Sequence, residues 1–280
     1  MIMRNMLCFI VLLLFVGDTP LLRAQNKDDW RLVFHDEFRQ KSGSRPNERY
    51  WSSSPRGVST WNRWISDSKN VAFIKNGKLV CRAIRNMENP ADTAAMLTGA
   101  VETCGKYSFQ YGKIEVRAKT NLHQGNFPAI WLMPQPPAEG HPYGGEIDIF
   151  ESFGTHRDAN HTVHSHWTLN LKHADKPKSH FVKTYFDVNK WHVYALEWTP
   201  NSLVFMIDGE VTGVYNKSED AKALAQKQWP FDHPFYIILN QSVQAQGSWA
   251  GSPDLNYVYE TQFDWVRVYQ KSSKSVRVDK

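Results

Sequence analysis

Apolar and polar positions alternate in short runs along most of the chain. Residues 113–119 place Ile114, Val116 and Ala118 between Lys113, Glu115, Arg117 and Lys119, the period of two that a half-buried strand shows. Residues 203–207, 235–239 and 263–269 read the same way, and residues 32–34 form a further short run. Asn76-Gly77 separates residues 71–74 from residues 78–83, and Asp208-Gly209 follows residues 203–207. Both dipeptides are strong hairpin signals, because Asn, Asp and Gly tolerate the positive φ that a tight two-residue turn requires. Helical character is confined to residues 218–228, rich in Ala, Lys and Gln. Many strands, frequent Gly turns and one short helix predict an all-β, jelly-roll sandwich.

The first 24 residues stand outside this pattern. Arg4 precedes an apolar run at residues 7–16, which is too short to span a bilayer comfortably, and Leu22-Arg23-Ala24 leads into Gln25. This reads as a secretory signal peptide over residues 1–24, leaving residues 25–280 as one domain, secreted or periplasmic, with no membrane span in the mature protein. Cys8 lacks the small residues before it that a lipid-attachment cysteine has. Cys81 and Cys104 remain, and an oxidising compartment permits either a bridge between them or two buried thiols.

Composition adds little to the fold and more to the function. The chain has 280 residues, enough for one large core, and 11 Trp, which serve a β core or present stacking faces to sugar rings. The net charge of +5 is spread along the chain rather than gathered, so nucleic acid is not an expected partner. A monomer is the expectation.

Residues 144–154 carry the chemistry: Gly144, Gly145, Glu146, Ile147, Asp148, Ile149, Phe150, Glu151, Ser152, Phe153, Gly154. In a regular strand Glu146 and Asp148 share one face, while Glu151 falls on the other. A β-bulge near Ile149-Phe150 adds one residue and returns Glu151 to the face of Glu146 and Asp148. Three carboxylates on one face raise one another's pKa. Glycoside hydrolysis uses such an arrangement, with one carboxylate attacking and one protonated acid serving the leaving group. The alternatives are a solvated strand face and an oxygen-rich calcium site.

The segment Glu146-Ile147-Asp148-Ile149-Phe150-Glu151 resembles the active-site signature of glycoside hydrolase family 16 in its bulge-containing form. Residues 30–38, 107–119, 127–134, 194–200 and 264–269 resemble other strands of that family in the same order. The resemblance implies a concave cleft and endo-action on a β-linked polysaccharide or complex glycan. It implies Glu146 as nucleophile, Asp148 as its assistant and Glu151 as general acid and then base. It implies no organic cofactor, and a structural calcium for which Glu37, backbone Gly77 and Asp264 are the matching candidates.

Around the cleft, Trp131 is the candidate floor for a sugar ring. Trp61, Arg63 and Trp64 either build one side of the cleft or pin their own loop. His166 and Trp167 are candidate lining residues, and Asn240 and Trp249 lie in a segment resembling a cleft edge. His164 and His166 share a face by strand period, but no third metal ligand is evident. Phe150, residues 163–167 and the His141-Pro142-Tyr143 loop depart from the laminarinase-like pattern. These departures leave β-1,3-glucan and β-galactoside-containing glycans as comparable substrates. A carbohydrate-binding protein without activity and a transglycosylase are the other readings.

Overall fold

A computed structural model describes residues 30–88, 90–172 and 180–271, with strands numbered β1 to β15 in chain order. The expected signal peptide lies outside the described residues. Among the described residues, no helix is long and apolar enough to cross a membrane.

One antiparallel ladder folds over on itself to give two layers. The first layer runs β10 (Phe181–Tyr185), β9 (Asp158–His164), β8 (Glu146–Glu151), β7 (Asn126–Pro134), β14 (Phe235–Val243) and β5 (Met96–Glu102), with β2 (Ser52–Ser53) against β5. The ladder continues through β4 (Leu79–Arg85), β15 (Tyr259–Lys271), β6 (Gly112–Thr120), β11 (His192–Trp198), β12 (Ser202–Ile207) and β13 (Glu210–Asn216). There β1 (Trp30–Asp36) pairs with β15, and β3 (Ala72–Ile74) with β4.

The expected strands form for the reasons their patterns give. Strand β6 alternates buried and half-buried positions along its whole length, with Ile114, Val116 and Ala118 inward. At the β3–β4 hairpin, Asn76 and Gly77 have φ of 51° and 69°, and Lys75 and Lys78 exchange backbone hydrogen bonds of 2.8 and 3.1 Å. Asp208 and Gly209 make the same left-handed pair between β12 and β13.

The helix is shorter than its composition suggests. It spans Ala221–Ala225, capped by the Asp220 carboxylate on the Lys222 amide. Lys227, at a φ of 59°, then turns the chain before Pro230.

The core lies between the layers. Ile147, Ile149 and Phe150 from β8 bury against Tyr194, Leu196 and Trp198 from β11, with the Phe150 and Tyr194 rings 4.2 Å apart. Cys81 is buried and Cys104 half-buried, and both are free thiols. The open alternative therefore resolves to unbridged cysteines in this structure.

The proposed calcium donors have other partners. Both Glu37 oxygens accept from the Arg267 guanidinium, at 2.9 and 3.0 Å. Asp264 pairs with Arg117 through one oxygen and with Lys78 at 3.5 Å through the other. Each of these carboxylates faces a cationic side chain.

Candidate active site

The outer face of the first layer is built row by row from strand register. Trp131 of β7 lies opposite Asp148 of β8, which lies opposite Thr162 of β9. One row along, Glu146 lies opposite His164. On the other side, Ala129 lies opposite Glu151, and Glu151 opposite Asn160. Glu151 reaches this face because the ladder slips. Between Asp148 and Glu151, β8 has two intervening residues where β9 has one, and the β7 pairing shifts between Ile130 and Trp131. Ile149 and Phe150 both turn into the core, at 0% and 1% exposure, and Glu151 returns outward. The bulge expected from periodicity is present at the expected place.

The approach to β8 is fixed by its two glycines. Gly145 has a φ of 86°, and a Cβ there would lie 2.7 Å from the Phe231 ring. A Cβ on Gly144 would lie 2.2 Å from the Glu139 carbonyl oxygen.

The three acids sit in different surroundings. Asp148 is almost fully buried, and burial, followed by the charges of Glu151 and Glu146, holds its pKa well above the usual carboxylate range. Glu151 is pushed up to about 8, chiefly by burial. The Thr162 hydroxyl, donating to Glu151 Oε2 at 2.9 Å, opposes that rise, and the Glu146 charge adds to it. A carboxyl group so placed is protonated at neutral pH and able to give its proton to a leaving oxygen.

Glu146 Oε2 lies 3.0 Å from His141 Nε2, and Oε1 lies 3.9 Å from His164 Nε2. The same His164 nitrogen is 3.4 Å from Asp148 Oδ2. Glu146, Asp148 and His164 thus offer polar atoms within 4.8 Å of one another. Hydrogen bonding to Glu146 raises the His141 pKa, while burial lowers that of His164.

Trp131, the candidate floor, lies beside Asp148 and is 5% exposed, packed with Ala129 and Ile238. Its Nε1–H donates to Asn240 Oδ1 at 2.8 Å, and Trp61 meets its ring edge-on at 4.7 Å. Asn240 is held in turn through Ser242, whose hydroxyl donates to the Trp61 carbonyl. Trp61, Trp131 and Asn240 therefore form one connected unit.

Arg63 and Trp64 take the loop-pinning role instead. The Arg63 guanidinium donates to the carbonyls of Thr60 and Gln244 and stacks on Trp64 at 4.1 Å. Trp64 packs against Ala83, Met96, Val243 and Tyr259, a cluster separate from the Trp131 floor.

His166 leaves the strand and enters a single π-helical turn, His166–Asn170, with Trp167 half-buried beside it. The His166 ring stacks on Tyr143 at 4.4 Å. Strand period pairs His164 with His166, but the turn separates them, and His164 joins the acids alone. Trp249 is 68% exposed, with its ring 5.0 Å from Phe153.

Three residues at the site were not singled out for their roles by sequence: His141, His164 and Thr162. The alternation of β9 could have placed Thr162 and His164 on the face of the acids. No periodic signal points to His141, which arrives from a loop.

The fold and the acids fit a class, a β-glycoside hydrolase on a jelly-roll scaffold. Residues 60–267 match the family model for glycosyl hydrolases family 16, and the chain belongs to that family. It is 32% identical over 259 residues to a keratan-sulfate endo-1,4-beta-galactosidase of Sphingobacterium multivorum, covering 91% of this chain and 59% of that protein. It is 30% identical over 260 residues to a beta-glucanase of Rhodothermus marinus, covering 89% of this chain and 88% of that protein. A solved structure from work on endo-acting O-glycanases, by which human gut microbiota initiate mucin breakdown, matches with a TM-score of 0.74 and 29% identity. That match covers 86% of this chain and all of the other.

Proposed function

We propose that the chain is a retaining endo-β-glycosidase acting on β-galactoside-containing glycans, with Glu146 as nucleophile and Glu151 as acid and base. In the first step a Glu146 oxygen attacks the anomeric carbon while Glu151 protonates the departing glycosidic oxygen, and the aglycone leaves. In the second step Glu151, now a carboxylate, takes a proton from water. That water attacks the same carbon and releases Glu146. Asp148, buried between them, keeps a proton available to Glu146 and limits repulsion among the acids.

The observation that carries this reading is the β8 bulge. It sets Glu151 on the face of Glu146, in surroundings that keep it protonated. The galactoside preference is supported by the keratan-sulfate endo-galactosidase and the mucin-directed enzyme among the relatives. It is supported also by the segments that depart from the laminarinase-like pattern. They bring His141 and His164 onto Glu146. The β-glucanase relative supports β-glucan as the second reading. The sequence supports secretion.

The test is incubation with keratan-type and mucin glycans, agar-type galactans, laminarin and mixed-linkage glucan. Products are read by mass spectrometry, and their first-formed anomer by NMR. Release of β-anomeric galactose-terminated oligosaccharides, abolished in Glu146→Gln and Glu151→Gln, is the expected result. An α-anomeric first product, or full activity in either variant, overturns the mechanism. Products longer than the donor would reveal transglycosylation.

A further inference from the structure

The loop between β7 and β8 brings an ionisable side chain to the acids from outside the sheet. It is wound tightly. The Gly140 carbonyl accepts from the amides of Tyr143 and Gly144 at 2.9 and 3.2 Å, and the Pro142 carbonyl accepts from Gly145 at 3.1 Å. Its far side is held by the Tyr143 ring against His166, with the planes only 15° apart. Between these restraints His141 places its Nε2 3.0 Å from Glu146 Oε2.

We propose that His141 is a positioning residue for Glu146, holding Oε2 by its Nε2–H so that Oε1 faces the anomeric carbon and the departing carboxylate is stabilised in the second step. The proposal rests on the reading of Glu146 as nucleophile.

The charges around the pair favour this role. Among the described residues, the ionisable groups near His141 include Glu146 and Asp148 on β8, His164 on β9 and His166 behind Tyr143. Behind His164, His180 adds a repulsive charge when protonated. Tyr236 of β14 feels the Glu146 charge. Glu139 in the same loop is paired with Lys227. Asp148 and Glu151 are both held toward the neutral form, whereas Glu146 faces the His141 imidazole directly. Its hydrogen bond in turn favours imidazolium at His141. With His141 protonated the contact is an ion pair at 3.0 Å.

An imidazolium on Oε2 acts unequally on the two steps. It draws charge from the carboxylate, so it does not speed attack. When water displaces the sugar, the C–O bond to Glu146 breaks and its electron pair returns to the carboxylate. The imidazolium stabilises that returning charge. Loss of His141 therefore slows deglycosylation more than glycosylation, and the glycosyl-enzyme accumulates.

The experiment uses the whole protein, the best-cleaved glycan of the panel, and the variants His141→Gln and His141→Ala. In His141→Ala, kcat is expected to fall by about tenfold or more, with KM falling in parallel and kcat/KM within about threefold of wild type. Acid-quenched His141→Ala should show a glycosylated peptide containing Glu146 by mass spectrometry, at higher occupancy than wild type. His141→Gln, which keeps an N–H donor without charge, should fall between the two, and thermal unfolding confirms that each variant is folded.

A kcat within twofold of wild type in either folded variant overturns the proposal. So does a fall in kcat at constant KM with no added covalent species, which marks a merely structural loop. A 2-fluoro glycoside inactivator should label wild type at Glu146. Labelling at another residue would instead overturn the nucleophile assignment itself.

Discussion

His161 places its Nδ1 2.6 Å from the carbonyl oxygen of Ile149, the residue at the β8 bulge. The ladder with β9 skips this position, so the carbonyl needs a donor from elsewhere. A carbonyl only accepts, so Nδ1 carries the proton and Nε2 accepts from the Thr212 hydroxyl at 2.7 Å. Burial pushes the His161 pKa down to about 4, keeping the ring neutral.

The first prediction follows. His161→Leu leaves a buried carbonyl without its donor, costing about 1–3 kcal/mol in denaturant unfolding. It also loosens Glu151, so kcat should fall with little change in stability of binding. Because the folded pKa is depressed below the ordinary value of 6.5, the unfolded chain binds more protons between pH 6.5 and about 4. Wild type should therefore lose stability as pH falls through that window, and His161→Leu should lose less. Identical stability and kcat in the two proteins would remove the bulge-locking role.

The bulge was legible in the sequence because a period of two leaves no other way to bring Glu151 beside Asp148. The hairpins were legible for a similar reason: Asn76-Gly77 and Asp208-Gly209 state their backbone conformation locally. The partners of the acids were not. Periodicity tells which face a side chain takes, but not which loop returns to meet it, so His141 stood out only as part of an unusual loop and not as a partner of Glu146. His166 was paired with His164 by extending the strand, and the chain instead breaks into a turn at Ser165, which caps it with its side chain. Arg63 reads in sequence as either a cleft residue or a loop pin, and only the fold shows the Gln244 carbonyl that makes it the pin.

Thr162 sets the second prediction. Its hydroxyl stabilises the ionised form of Glu151 and so restrains the upward pKa shift. Thr162→Val removes that bond without changing shape much, and the Glu151 pKa should rise further. The proposed mechanism needs Glu151 protonated, so the alkaline limb of kcat/KM should move to higher pH. A weaker acid transfers its proton less readily, so the maximum should drop a few-fold. An alkaline limb that stays or moves down would show that Glu151 is not the group titrating there.

Glu151 also carries a cost in stability. Its pKa is about 8 folded against an ordinary 4.5, so its contribution is fullest below pH 4.5 and is lost as pH rises through 8. Glu151→Gln removes the titrating group while keeping the shape. The variant should melt higher than wild type at pH 8–9, by a few degrees, with the gap narrowing toward pH 4.5. Calorimetry across that range checks the sign, and a gap that widens toward acid would contradict it.

Trp249 separates binding from stability. The loop that carries it docks closely on the chain just past Glu151, where a Cβ on Gly154 would lie 2.5 Å from the Ala250 carbonyl oxygen. The Trp249 ring rests beside Phe153 and His156 at 5.0 and 5.9 Å, yet most of its surface faces solvent. A large aromatic so held and so exposed contributes little to the core, and Trp249→Ala should change unfolding stability by about 0.5 kcal/mol or less. A stacking platform some distance from Glu146 is felt only by glycans long enough to reach it. KM should therefore rise for long glycans, while the shortest cleavable oligosaccharide is hydrolysed at the wild-type rate. Equal losses on short and long substrates would place the ring's influence at the acids rather than at the cleft edge.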